Sequence, residues 1–209
     1  MVNRSDAPAL VLVAVLSVAA VTPLFASPAD QDAQFQTVLL NSFVCDDFYW
    51  GEGGSAPQIP LAVPKKYEKT PAPFAAACVW STKSDVERIF QPDTASPAES
   101  FFKIQASRNT GFDAQRNVFV SGPDQDETNM ADALRTGGVR DVTVKRYTIQ
   151  GAPILIVEGV LSSGQPSRLV YLATQVGTNA IMINYVPRKP WSEWDSEVWA
   201  RFKHSLVGE

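Results

Sequence analysis

Few residues in this chain are equipped for catalysis. Its one histidine is His204. An imidazole acts as acid or base when it is recessed and oriented by a partner. On helical spacing His204 falls opposite a tryptophan stripe, in the last turn of a predicted helix, where dipole and solvent favour it. We therefore read it as a surface residue. That reading removes a Ser-His-Asp or Cys-His scheme. The densest acidic cluster, Asp124-Gln125-Asp126-Glu127, begins like a calcium loop. Asn129 then stands where that loop needs glycine, and Arg135 where it needs a bidentate glutamate. The cluster reads instead as the negatively charged start of a helix.

Two places hold more interest. Asp46-Asp47 precede Phe48-Tyr49-Trp50 and a glycine cluster, Gly51 to Ser55. The three aromatics suit either a ligand cleft or partner surface, or a core segment around Cys45. Glu158 lies inside the apolar run Ile154 to Leu161. A carboxylate there is costly unless paired or open to water. Arg168 on the next predicted strand is the cross-strand candidate partner. The same geometry can line a pocket that shifts a pKa. Phe48, Tyr49, Trp50 and Glu158 are thus the candidate ligand- or partner-contacting residues. No catalytic or metal-ligating set is assigned, and no cofactor is expected. Trp191, Trp194 and Trp199 invite a sugar-platform reading, but their helical spacing places them in a core.

Cys45 and Cys78 are the two cysteines. In an exported chain an even pair reads as a disulfide, against the alternative of two buried thiols. Closing that loop stabilises by roughly 3–4 kcal/mol in the chain-entropy description. No Cys-x-x-Cys is present, and two cysteines with one histidine make a poor structural zinc site.

Export is the reading of the first 29 residues. Arg4 supplies positive charge, offset in part by Asp6. Ala9 to Val21 is uncharged and carries one hydroxyl, Ser17. The run is shorter than the roughly 20 residues that span a bilayer, and it fits the apolar region of a cleaved signal peptide. Thr22-Pro23 and small residues follow, with cleavage expected after Ala26 or Ala29. An uncleaved anchor is the alternative. No cysteine near the cleavage region points to a lipid anchor. The expected location is periplasmic or secreted, with no membrane span after cleavage.

Removing the leader leaves about 180 of 209 residues, 45% of the whole chain is hydrophobic, and the formal net charge is −4. Nucleic-acid binding has no electrostatic footprint here, and no polybasic run suggests anionic lipid. The expected division is a signal peptide (1–29), an N-terminal helix with a Pro/Gly-rich extension (30–73), and an α+β domain (74–209).

The elements that position the candidate residues follow from spacing. Phe35, Val38, Leu39 and Phe43 predict a helix over Gln31 to Phe43. Pro57, Pro60, Pro64, Pro71 and Pro73 exclude a continuous helix or central strand, so 57–73 reads as an extended surface connection. Ala75 to Trp80 fits helix or strand. Ser84 is the expected cap for Asp85 to Phe90, and Glu99 to Ser107 reads as a strand. Asp126 or Thr128 caps a helix through Arg135, ended by Gly137-Gly138. Four strands joined by short turns follow: Val139–Ile149, Pro153–Leu161, Arg168–Gln175 and Ala180–Val186. Such turns make an antiparallel meander. A slip in alternation between Val144 and Tyr147 marks an expected bulge. The last helix begins near Pro190 with Ser192 and Asp195 as a capping box. Trp191, Trp194, Val198, Phe202 and Leu206 share its apolar face, with Trp199 at the edge. The expected fold is α+β: an antiparallel meander packed by helices, including this Trp-rich one.

Tyr147-Thr148-Ile149-Gln150-Gly151-Ala152-Pro153, Arg168-Leu169-Val170-Tyr171 and Trp199-Ala200-Arg201-Phe202-Lys203 carry a likeness of layout. Over the C-terminal third the chain resembles the PsbP/DcrB-like α/β/α sandwich group. That resemblance implies a non-enzymatic accessory, assembly or binding protein. We therefore expect an exported binding or accessory protein, with an unknown protein or small-molecule partner. The alternatives are an immunity protein that neutralises a secreted toxin and a hydrolase built from Asp46, Asp47 or Glu158. The hydrolase requires two carboxyl groups roughly 5–9.5 Å apart.

Overall fold

A computed structural model describes residues 32–46, 58–73, 77–90, 99–107, 111–113, 118–120, 124–125, 127–150, 152–173, 180–187 and 190–209. The leader, Asp47, Phe48-Tyr49-Trp50, the Gly51–Ser55 cluster and Asp126 lie outside the described residues.

The expected meander forms and dominates the fold. Strands β9 (Arg140–Ile149), β10 (Ala152–Val160), β11 (Pro166–Ala173) and β12 (Ala180–Val186) pair in sequence, each antiparallel. Gln150 takes φ +50° in the turn that sets Ile149 opposite Ala152. The sheet continues from β12 through β5 (Phe101–Ser107) and β4 (Ala77–Ser81) to β3 (Glu68–Pro71). The seven-stranded order is β3-β4-β5-β12-β11-β10-β9.

The bulge sits elsewhere than expected. Glu158 faces Thr143 and Val160 faces Arg140, so Gly159 alone faces two residues. Asp141 takes φ +51° there. A Cβ on Gly159 would come within 2.7 Å of Val139 Cγ1 and 3.1 Å of the Arg140 carbonyl oxygen. The bulge therefore needs glycine at 159 because the opposite backbone crowds it.

The first half departs most from expectation. The helix predicted over 31–43 is strand β1 (Phe35–Leu39) followed by one turn of helix, α1 (Leu40–Phe43). β1 pairs antiparallel with β2 (Pro60–Pro64) in a two-stranded sheet. The proline-rich segment is no surface connection: Ile59, Leu61, Val63 and Tyr67 are all buried. Its prolines bound β2 at both ends, and β3 lies at an edge of the large sheet, positions that tolerate a missing N–H. The boundary placed at 73/74 falls between the paired strands β3 and β4. Residues 83–85 form a 3-10 turn entered from Thr82, rather than a helix capped by Ser84, and α2 (Val86–Phe90) follows.

Helix α3 (Glu127–Thr136) packs Met130 and Leu134 against Leu155, Val157, Leu169 and Tyr171 on one sheet face. Gly138, at φ +88°, ends it as expected. The short strands β6 (Gly111–Asp113), β7 (Val118–Val120) and β8 (Asp124–Gln125) form a separate antiparallel sheet. Helix α4 (Glu193–Val207) packs on the opposite face of the large sheet, beside β2. The Ala62 N–H donates to Ser205 Oγ at 2.9 Å.

The capping box at α4 is present: the Ser192 side chain accepts from the Asp195 N–H, and the Asp195 side chain accepts from the Ser192 N–H. Gly208, at φ +81°, closes the other end. The buried stripe is Asp195, Val198, Trp199, Phe202 and Leu206. Trp199 is central rather than at the edge, and Trp191 and Trp194 are half-buried. Phe202 has ring neighbours Phe102 at 4.7 Å and Phe43 at 5.4 Å. Full burial of such a side chain contributes about 1.5–3 kcal/mol. The architecture is α+β, as expected, with the main core between the large sheet, α4 and the β1–β2 pair.

Candidate functional site

One cross-strand row organises the polar chemistry. Pairing sets Thr143, Glu158, Arg168, Tyr185, Phe102, Trp80 and Lys69 side by side from β9 to β3. Strand alternation puts Glu158 on the same face as Ile154 and Ile156, against α4. Its carboxylate meets three partners. The Trp199 indole Nε1–H donates to Oε1 at 2.5 Å, Lys203 Nζ lies 3.3 Å from Oε2, and Arg168 Nε lies 3.6 Å from Oε1. The Glu158–Arg168 pair expected from sequence is therefore present. α4 supplies Trp199 and Lys203 at i, i+4, the spacing that puts both on one helix face.

Burial alone pushes the Glu158 carboxyl up. The Trp199 hydrogen bond, Lys203 and Arg168 together outweigh that and hold it below the ordinary range. Arg168 is lowered by burial, with Glu158 opposing the shift. Its Nη1 donates to the carbonyls of Gly159 at 3.1 Å and Ser167 at 2.9 Å, and its guanidinium lies 5.4 Å from the Trp191 ring centre. The balance of these contacts over burial thus favours a negative charge on Glu158. A general acid needs the opposite bias.

Asp195 anchors a second network. Fully buried, it accepts from the hydroxyls of Ser100, Tyr185 and Ser192 and from the Ser192 N–H. The Tyr67 hydroxyl donates to the Ser100 carbonyl. Burial, with nearby acidic side chains, raises the phenols of Tyr67 and Tyr185. Neutral phenols suit their role as donors inside the core. Sequence reasoning identified Asp195 as a cap only. Tyr67 lies in the segment read as a surface connection, and Ser100 near the start of the strand expected over Glu99 to Ser107, where nothing local marks either as part of a buried network.

Clefts formed by described residues reach the surface, and two of them stand out. The first, about 170 Å³, is lined by Cys45, Asp46, Lys69, Pro71, Ala77 and Cys78. Cys45 and Cys78 form the expected disulfide, with Cα atoms 5.5 Å apart. Lys69 Nζ lies 2.5 Å from Asp46 Oδ1. Lys69 on β3 and Glu158 on β10 are five strand spacings apart, roughly 24 Å along the sheet. Asp46, held by Lys69, and Glu158 therefore do not make one acid–base pair.

The second cleft, about 190 Å³, is lined by Gln34, Lys65, Lys66 and Trp194. The sequence reading did not single out Lys65 or Lys66. Nothing in their local pattern differs from solvated lysines, since the cleft exists only once β1, β2 and α4 meet.

His204 is exposed in the last turn of α4, as expected. Among the described residues no three His, Cys, Asp or Glu side chains gather in a metal-binding arrangement. Among the same residues no helix is long and apolar enough to cross a membrane. No family model matches the chain, and no curated protein does.

Proposed function

We propose that this is an exported, non-enzymatic binding or accessory protein that holds a ligand or partner at its surface clefts. The observation that carries the reading is the state of Glu158. It is the charged residue most suited by sequence to chemistry, and it is held ionised by Trp199, Lys203 and Arg168. Such a carboxylate is a brace that fixes α4 on the sheet. The Asp195 network does the same at the N-terminus of that helix. A core braced this way offers rigid walls, and rigid walls favour binding because little ordering is left to do.

Export is supported by the leader pattern and by the Cys45–Cys78 disulfide, which persists in oxidising compartments. The layout of meander and C-terminal helix adds support by analogy with the PsbP/DcrB-like group. Capture of the tagged chain from periplasmic extract tests the proposal. A protein or small molecule recovered in stoichiometric amount is expected. Repeated recovery of the bare chain, or turnover of a hydrolysable substrate that Glu158→Gln abolishes, overturns it.

A further inference from the structure

The strand edges of the large sheet and of the β1–β2 sheet are finished in different ways. β3, one edge of the large sheet, carries Glu68, Lys69 and Pro71. β9, its other edge, carries Arg140, Asp141, Lys145 and Arg146, and Arg135 Nη2 of α3 donates to the Val142 carbonyl at 3.3 Å. Charge, proline and covering helices are the devices that keep sheet edges from pairing with other chains. β2 has two of them. Its Ala62 N–H donates to Ser205 Oγ of α4, so the Ala62 backbone is turned away from β1. By alternation Pro60 and Pro64 turn the same way, and their missing N–H groups fall on that outer side.

β1 (Phe35-Gln36-Thr37-Val38-Leu39) has no such device. Bonds at its two ends fix which side faces inward. The Lys65 N–H donates to the Gln34 carbonyl and the Leu40 N–H to the Ile59 carbonyl, both at 2.8 Å. Gln34 and Leu40 therefore face β2, as do Gln36 and Val38 between them. The Phe35 carbonyl, the Thr37 N–H and carbonyl, and the Leu39 N–H face outward. Among the described residues β2 is the one strand that pairs with β1. Thr37 is exposed, and Leu39 is 42% exposed. An uncharged, unpaired edge beside an exposed leucine is a template for one more strand.

The strand that fits it is its own copy. About a two-fold axis at Thr37, antiparallel pairing sets Phe35 opposite Leu39, Gln36 opposite Val38 and Thr37 opposite Thr37. No charges meet, and a Thr–Thr pair is a favourable cross-strand contact. Each Thr37 exchanges both backbone bonds with its counterpart, and each Leu39 N–H reaches the other copy's Phe35 carbonyl. Such a two-fold contact closes on itself. The new sheet ends on both sides at β2, whose outer edge is already blocked by proline and α4.

We propose that β1 pairs with β1 of a second copy of this chain, giving a four-stranded sheet in the order β2-β1-β1-β2. The pairing is independent of the surface clefts and of the binding reading. A five-residue strand spans roughly 17 Å, too little for the roughly 1,200 Å² of a stable interface. The dimer is therefore weak, with a dissociation constant on the order of 10 μM to 1 mM.

The test is sedimentation of the full folded chain over that range of concentration, with amide hydrogen exchange measured at both ends of it. The mass should rise from one copy to two, and the Thr37 and Leu39 amides should exchange more slowly in the concentrated sample. Thr37→Pro removes an outward N–H, leaves the β1–β2 bonds in place and should abolish the dimer. Leu39→Lys changes an exposed side chain, puts a charge on the edge and should weaken the dimer about tenfold or more. Urea midpoints check that both variants fold. A single copy at every concentration, undiminished association in Leu39→Lys, or a dimer that leaves the Thr37 and Leu39 amides unprotected overturns the proposal. So does a chain that stays single and uses this edge to capture a different protein. If no dimer forms while a stoichiometric ligand is still recovered, this inference falls and the binding reading stands.

Discussion

Removing the charge of Glu158 should loosen α4 from the sheet, by an amount the geometry bounds. Glu158→Ala leaves Arg168 and Lys203 facing one another without their shared anion, and leaves the Trp199 N–H without its acceptor. Losing one partner of a fully buried pair costs about 3–5 kcal/mol. Here the side chains of Glu158, Arg168 and Lys203 are 25%, 20% and 23% exposed, so water repays part of that. An orphaned indole donor costs about 1–3 kcal/mol. We expect a total of about 2–4 kcal/mol for Glu158→Ala. Glu158→Gln keeps an acceptor for Trp199, and about half that loss is expected. For a domain of this size 1 kcal/mol moves Tm by about 2–4 °C, so both variants are resolvable by calorimetry. The pH dependence separates charge from packing. The folded pKa of Glu158 is lowered, so its charge contributes above the ordinary carboxylate pKa and the contribution is lost as pH falls through the folded value. The gap between wild type and Glu158→Gln should therefore be full near neutrality and should narrow in acid. A gap that is constant with pH, or no gap at all, would refute the brace.

The remaining predictions concern the supports around it. Replacing Cys45 and Cys78 by alanine should cost about 3–4 kcal/mol, read as a lower urea midpoint with far-ultraviolet dichroism retained; an unchanged midpoint would contradict a structural disulfide. Asp195→Ala strips the acceptor from Ser100, Tyr185 and the Ser192 N–H and hydroxyl, and should cost at least about 3 kcal/mol in a urea titration. Gly159→Ala should destabilise by about 1–3 kcal/mol, because Val139 and the Arg140 carbonyl occupy the space; a neutral result would show that the bulge can relax.

The second half of the fold was legible because its signals are local. The Ser192/Asp195 box, the turn at Gln150 and the lone Glu158 in an apolar strand each need only a few neighbouring residues to be read. The first half depends on a partner far along the chain. Phe35, Val38, Leu39 and Phe43 stand near helical spacing, yet the first three belong to a strand, with Leu39 exposed, and Phe43 to one turn of helix. Strand β1 exists because β2 pairs with it, and the prolines bounding β2 hid that strand. Trp199 was set at the edge of its face because periodicity treats a helix as packed from one side. The β1–β2 pair and the sheet together enclose α4, and Trp199 turns toward Glu158 between them. The bulge had a usable signal in Gly159, a glycine inside a strand, which the slip near Val144 obscured. The Trp194 cleft had none, since its walls come from three separate elements.

The binding account is tested most directly by the native mass of the chain recovered, without denaturation, from the periplasm of an expressing cell. The account predicts a mass that begins after Ala26 or Ala29, with the disulfide intact and a stoichiometric adduct or partner that denaturation releases. A chain retaining its leader, or one that is bare in every preparation, would contradict it.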